Sequence, residues 1–400
     1  MRQRHALIIG GSMSGLLAAI MLVRRGWQVD VFERVSDELA GRGAGIVAQP
    51  ELTTRLAALG FDIRDLGVAV TTRRILDEAG RVTATMACPQ ILTAWERVYR
   101  VLRDALPARF YHRGRCLAAF EQSGGGVVAR FDDGSSAAGD LLIGADGLRS
   151  TVRQQCLPDV VPLYAGYVAW RALLAETVLP GAIRHELVEA MTFCLPPGEQ
   201  FLGYPIAGPD NELRPGHRRY NVIWYRPADE VSELPWLLTD HHGVTHTISI
   251  PPLLIRRDAV AAMRAAAERL LAPQFRAIVR LIDDPLLQPI YDLASPQLAF
   301  GHVAVIGDAA FVARPHVAAG VSKAADDAAA LAEELDAGDV ESALRKFEAR
   351  RLLQGNRIVE RARHLGAYLQ ATQSGEDRPR SARHGIPEAV LAETALLDFL

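Results

Sequence analysis

The sequence predicts an α/β fold. A parallel-sheet domain is assembled from separated stretches, a mixed β-sheet is inserted into it, and helices close the C-terminus. Three observations predict this. Residues 6–33 read as strand, glycine turn, helix, strand and acid. Two later segments, 140–153 and 302–335, each carry a short apolar strand that ends in a turn and opens a helix. Between them, residues 166–286 contain strand-like runs such as Tyr167–Leu174, Gln200–Ile206 and Arg219–Tyr225.

The first segment carries the clearest chemistry. Ala6–Ile9 reads as a buried strand, and Leu16, Leu17, Ile20, Met21 and Val23 fall on one helical face. Val29–Phe32 follows as a second strand ending in Glu33, 23 residues after Gly10. This is the Rossmann-like pattern for a dinucleotide. The unpaired N–H groups of Met13 and Ser14 and the positive helix end attract a pyrophosphate, and Glu33 accepts from ribose hydroxyls. Gly10 permits the tight turn and Gly15 the close packing of helix on strand. Ser12 stands where the middle glycine is usual, with Gly11 beside it. A secretion signal is the competing reading of residues 6–23, but three glycines and two serines interrupt it at 10–15. A membrane helix would need roughly 20 apolar residues.

Composition excludes several classes. The net charge is -3 and no run of five like charges occurs, so neither nucleic acid nor a membrane surface is an expected partner. Cys88, Cys116, Cys156 and Cys194 lie far apart without a CxxC pair, which fits buried thiols in a reducing, cytoplasmic setting. His241, His242 and His246 lack a completing ligand pattern, and no metal is expected.

The second segment, "DLLIGADGLRSTVR", places Asp146-Gly147 in a turn. The third, "HVAVIGDAAFVARPHVAAGVSKAADDAAALAEEL", places Gly307-Asp308 at a strand end, then Pro315 and Gly320. With Gly10–Gly15 these form an ordered trio. In it the chain resembles the single-component FAD-dependent aromatic hydroxylases, from about residue 5 to 370. A closer likeness, to a branch that hydroxylates dihydroxypyridine rings, rests on "GAGIVAQPEL", "YAGYVAWRALL", "YPIAG" and "IGDAAFVARPHVAAG". Phe311 departs from the family, where many members have histidine.

The resemblance implies FAD as cofactor and NADH or NADPH as transient co-substrate. It also implies O2 as co-substrate and hydroxylation of an electron-rich aromatic or N-heteroaromatic ring through a flavin C4a-hydroperoxide. Asp308 is expected on the ribityl chain. The N–H groups of Ala319, Gly320 and Val321 are expected at the flavin N1–C2=O edge, with Gly43, Ala44, Gly45 and Ile46 beside the ring. Glu33 and Arg34 should flank the adenosine, with Leu117 near the adenine. Asp146, with Gly147, should lie near the pyrophosphate or the ribityl chain, and Arg149 is also expected to help the transient nicotinamide cofactor. The family often has a cofactor-binding arginine near the start of the helix after residue 94; Arg97, or else Arg100, is the candidate. Gln49, Arg171, Tyr204, Trp224, Tyr225 and His316 are candidates for the substrate wall. Trp224 and Tyr225 alternate, so at most one faces the pocket. His316, Tyr204 and Pro315 are the candidates closest to the chemistry. Plainer roles compete: Tyr204 closing a strand, Arg171 in a structural ion pair.

The implied domains are 1–70, 95–162 and 287–335 for FAD, and 71–94 with 163–286 for the substrate. Residues 336–372 form a C-terminal helix, and 373–400 a linker and terminal segment that docks on the core or on a partner in a homodimer. The alternatives are a related flavin reductase, a halogenase, or a non-catalytic flavin protein. The halogenase motif WxWxIP is absent, and Lys323 and Lys346 are the only lysines.

Overall fold

The computed structural model describes residues 3–39, 45–336 and 338–400. Gly43 and Ala44, expected beside the flavin, lie outside the described residues. His5–Ile9 lies in the middle of a six-stranded sheet. It pairs in parallel with Gln28–Glu33 on one side and Leu141–Gly144 on the other. Tyr111–Arg113 and Val303–Val305 extend the two sides, also in parallel, and Ala299–Phe300 ends one edge. The central strands are almost wholly apolar because both sheet faces are covered. The strand order runs outward in both directions from His5–Ile9. This creates a crevice at the carboxyl ends, where α/β sheets bind ligands. A separate three-stranded meander, Leu117–Ser123, Gly126–Phe131 and Ser136–Gly139, packs Phe120, Val127 and Phe131 into the same core.

The second sheet has nine strands. In spatial order they are Phe311–Val312, Leu286–Ala294, Leu163–Ala175, Arg219–Pro227, Gln200–Ile206, Met191–Cys194, Val68–Leu76, Val82–Ala94 and Gly45–Val47. It is mixed, since Met191–Cys194 runs parallel to Val68–Leu76. Alternation sorts its side chains between two cores. Trp170, Phe201 and Trp224 pack on helices Arg257–Leu270 and Pro273–Arg280. Tyr167, Tyr204 and Tyr225 line the opposite face.

Two expectations need correction. Leu286–Ala294 belongs to the nine-stranded sheet, paired with Leu163–Ala175, although residues from 287 onward were assigned to the cofactor domain. A local pattern identifies a strand but not its distant partner. Residues 373–385 are not a plain linker, because Asp377–His384 is helical and buries His384 against Glu393. Helix Pro387–Glu393 follows, and the terminal segment docks on the chain's own core through Val390, Leu391 and Ala395.

Helix Val340–Leu365 is capped by Asp339, which accepts from the Ser342 N–H at 2.9 Å. Its buried stripe includes Leu344, Phe347, Ile358 and Ala362. Phe311 is fully buried against Gly355 of this helix, so the family's usual histidine position is here a packing residue. No helix among the described residues is long and apolar enough to cross a membrane.

Candidate active site

The crevice is built first from the turn after His5–Ile9. Gly10 has φ +106, and a Cβ there would overlap the Ala145 carbonyl. The Gly11 N–H donates to Glu33 Oε2 at 2.9 Å, and the Tyr111 hydroxyl donates to the Gly11 carbonyl at 2.9 Å. Glu33, expected to flank the adenosine, is thus hydrogen-bonded to the turn itself. Gly11 must lack a side chain because Tyr111 fills that space. Ser12 occupies the N-cap of helix Met13–Arg24, yet its side chain makes no capping bond and the first turn has no acid. The N–H groups at this helix end are thus without a side-chain anion.

The other two turns close around it. The Asp146 carboxylate accepts from Ser150 Oγ at 2.5 Å and from the N–H groups of Thr151 and Val152 at 2.7 and 3.2 Å. These bonds hold Asp146 against the start of helix Thr151–Cys156, whose N-cap is Ser150, and Gly147 follows in the turn at φ +75. Arg153, which no sequence pattern singles out, is fully buried. It donates to the Leu148 and Ala309 carbonyls at 2.7 and 3.0 Å, joining the second turn to the third. Gly307, at φ +61, packs so closely on Ser14 that a Cβ would overlap its Oγ. Its N–H donates to Asp327 Oδ2 at 3.0 Å.

Asp308 is half exposed, and the ammonium of the buried Lys323 lies 3.5 Å from its Oδ1. Ala318 is left-handed at φ 50, and helix Gly320–Glu334 begins at Ala319 without a side-chain cap. Arg97 keeps a buried Nε with no partner, whereas Arg100 is exposed and paired with Glu96. Leu117 is buried in the core. Arg34 lines a cleft of about 860 Å3 with Asp146, Gly147, Arg149 and the Thr247–Pro252 loop. Two uncapped helix starts, an orphaned arginine donor and a half-exposed carboxylate suit FAD, which offers phosphates and a flavin carbonyl edge as acceptors and ribityl hydroxyls as donors.

The tyrosine face of the nine-stranded sheet forms the second half. The Tyr204 hydroxyl donates to the Gly45 carbonyl at 3.0 Å, and Asn221 Oδ1 accepts from the Gly45 N–H at 3.1 Å. A Cβ at Gly45 would lie 2.6 Å from the Tyr204 ring, so glycine is required there. Ile46 continues this strand, half-buried. Burial pushes the Tyr204 phenol up to about 12, with the Arg171 cation opposing it. Arg171 donates to Gln288 Oε1 at 2.8 Å and keeps a buried Nε without a partner. Trp224 is on the opposite face, where its indole donates to Glu199 at 2.7 Å, so of the alternating pair it is Tyr225 that shares the face of Tyr204. Gln49 is buried and donates to the Ala395 carbonyl at 2.9 Å. Pro315 opens the turn Pro315–Val317 and offers no proton-transfer group.

His316 is 3% exposed, and its Nε2 lies 2.9 Å from the Tyr167 hydroxyl. Burial, aided by the Arg314 cation, lowers its pKa to about 3. The ring is neutral at neutral pH and a weak base. The unfolded chain binds this proton near pH 6.5 and the folded chain does not. Native stability should therefore fall as pH drops from 6.5 towards 3. His316→Asn should flatten that slope, as read from urea unfolding across the same window.

The chain is similar to known flavin-dependent proteins. A family model described as "FAD binding domain-like" matches residues 164–292. The 2,6-dihydroxypyridine 3-monooxygenase of Paenarthrobacter nicotinovorans is 32% identical over 383 residues, covering 95% of each chain. The 3-amino-4-hydroxybenzoate 2-monooxygenase of Streptomyces cremeus is 29% identical, covering 96% of this chain and 92% of that one. The solved structure of 2,6-dihydroxypyridine-3-hydroxylase from Arthrobacter nicotinovorans superposes with TM-score 0.87 at 31% identity, over 94% of this chain and 95% of that one. These relatives do not favour the reductase, halogenase or non-catalytic alternatives. With three turns around one crevice and a relative of this identity along almost its whole length, the chain belongs to the FAD-dependent aromatic hydroxylases.

Proposed function

We propose that this monooxygenase hydroxylates an oxygen-bearing N-heteroaromatic ring that binds as an anion, with a dihydroxypyridine as the first ring to test. One observation carries the substrate class. Arg171 Nε, Gln200 Nε2 and Asn221 Nδ2 are buried donors without acceptors, and all three lie on the tyrosine face of the sheet. Buried donors left unpaired are costly, so a ligand rich in acceptors is the natural partner. The relatives that act on dihydroxypyridine and aminohydroxybenzoate rings support the same class.

In this reading the six-stranded sheet with its three turns holds FAD, and the nine-stranded sheet holds the ring. Gly10–Gly15 takes the pyrophosphate, Glu33 and Arg34 the adenosine, Asp308 the ribityl chain, and Ala319–Val321 the flavin's pyrimidine edge. Bound FAD supplies the redox chemistry between NADH or NADPH and O2. The chain's own residues bind and orient the ring and exclude water. Arg171 opposes the rise of the Tyr204 and Tyr225 phenol pKa values. The same cation would hold a substrate hydroxyl deprotonated, which makes the ring carbon a better nucleophile. Tyr204 is committed to Gly45 and His316 is a weak base, so neither is the favoured proton acceptor. Arg34 and Arg149 give the 860 Å3 cleft positive charge suited to brief docking of the nicotinamide cofactor.

The test is NADH oxidation by the FAD-loaded protein in air, with and without 2,6-dihydroxypyridine, followed by product analysis. Strong stimulation with a hydroxylated product is expected. Unstimulated oxidation, or stimulation by neutral phenols alone, would reject the anionic-heterocycle reading. Arg171→Met should raise KM for the ring roughly tenfold or more, since a charge-assisted hydrogen bond is worth about 1.5–3 kcal/mol. FAD content and melting temperature should stay unchanged, and equal KM values for the two proteins would remove Arg171 from the site.

A further inference from the structure

The peptide of Ala395 joins three parts of the molecule that are distant in sequence. Its N–H donates to the His316 carbonyl at 2.6 Å, inside the loop that leads to the helix start at Ala319. Its carbonyl accepts from Gln49 Nε2 at 2.9 Å, Gln90 Nε2 at 3.1 Å and Arg73 Nη2 at 3.5 Å. Ala395 is left-handed at φ 56, a conformation that a side-chain-bearing residue holds only when its surroundings dictate it.

Arg73 is the anchor. It is wholly buried, and its fork is committed to neutral acceptors: the Leu391 carbonyl at 2.8 Å, the Thr394 carbonyl at 2.6 Å and Gln90 Oε1 at 2.7 and 3.0 Å. These carbonyls lie at the end of helix Pro387–Glu393, which carries partial negative charge. Beyond the clamp, Leu397 packs with Val317 and Ala319 of the loop, and Val390 and Leu391 pack in the cluster that holds Tyr167, Tyr204 and Tyr225.

We infer that the terminal segment 386–400 is a strap that seals the hydroxylation site, with Arg73 as its positioning residue. The strap fixes the loop carrying the N–H groups for the flavin and closes the tyrosine face against water. The inference rests on the family's reaction. When coupled, NAD(P)H, one proton and O2 give NAD(P)⁺, water and the ring hydroxyl. When water enters, the same two electrons and two protons leave as H2O2, and the ring is unchanged. Loosening the strap should divert electrons to that second balance.

The experiment compares the FAD-loaded wild type with Arg73→Met and with a chain ending at Gly385. Two readouts are taken: quenching of flavin fluorescence by iodide without any aromatic ring, and H2O2 formed per NADH oxidised with a ring that stimulates oxidation. Both should rise at least twofold in the variants, and adding a synthetic 386–400 peptide to the shortened chain should restore them. If the shortened chain or Arg73→Met does not fold, Gln90→Leu at the half-buried edge of the clamp gives the same readouts. Wild-type quenching and wild-type H2O2 yield in a flavin-loaded variant would overturn the strap. If no aromatic ring stimulates oxidation, the substrate reading fails, while the iodide measurement still decides the strap.

Discussion

Gly15→Val should yield a protein that purifies without flavin. A Cβ at Gly15 would overlap the Gly10 carbonyl and come within 3.3 Å of Ile8 Cγ2. The first obstacle is backbone, so it cannot swing aside as a side chain would. Helix Met13–Arg24 must instead lift away from His5–Ile9, carrying its N–H groups out of line with Glu33 and the Asp308 turn. Ser14, one residue earlier, is wedged against Gly307, so the displacement spreads to the third turn. The cost to the fold should be roughly 3 kcal/mol, the upper end for overpacking. The measurement is visible flavin absorbance per protein together with urea unfolding. A folded protein with full flavin content would mean that the close helix–strand contact is unimportant for FAD. Ser12→Gly is the contrasting change. The Ser12 side chain makes no capping bond, so that variant should keep FAD with an affinity changed only a few-fold.

What the sequence revealed depended on how local each signal was. Gly10–Gly15, Asp146-Gly147 and Gly307-Asp308 are each a strand end plus a turn, written in consecutive residues. Their meeting at one crevice follows from the order of parallel strands. Alternation showed that Trp224 and Tyr225 face opposite ways. The choice between them depended on which face helices Arg257–Leu270 and Pro273–Arg280 cover, and that is not written beside either residue. Asn221 looks like an ordinary strand residue until its register opposite Tyr204 brings its amide to Gly45. Arg153 and Arg73 were invisible because each reaches a backbone carbonyl far away in sequence, Ala309 and Leu391. Asp146 was legible as a turn, and its spacing to Ser150 and Thr151 also accounts for the hydrogen bonds it accepts from them.

Lys323→Met should move stability and cofactor affinity in opposite directions. The chain has 44 lysines and arginines, of which only Lys323 and Lys346 are lysine. Lys323 is 1% exposed in the first turn of helix Gly320–Glu334, and its ammonium makes no hydrogen bond. The anion beside it, Asp308 at 3.5 Å, is half exposed and so screened by solvent. A buried cation with so weak a partner costs desolvation that the pair does not recover. Methionine fills the same space without that cost, so the FAD-free protein should be as stable as wild type or about 1 kcal/mol more stable. FAD binding should nonetheless weaken about tenfold, close to 1.4 kcal/mol. The Asp308 carboxylate would lose the cation that orients it and offsets its charge where the ribityl hydroxyls and phosphates arrive. Thermal unfolding of the flavin-free protein and a fluorescence titration with FAD read the two effects separately. A less stable flavin-free protein with unchanged FAD affinity would make Lys323 a packing residue. The opposite pair of shifts would mean that the fold tolerates a buried charge because the cofactor needs it.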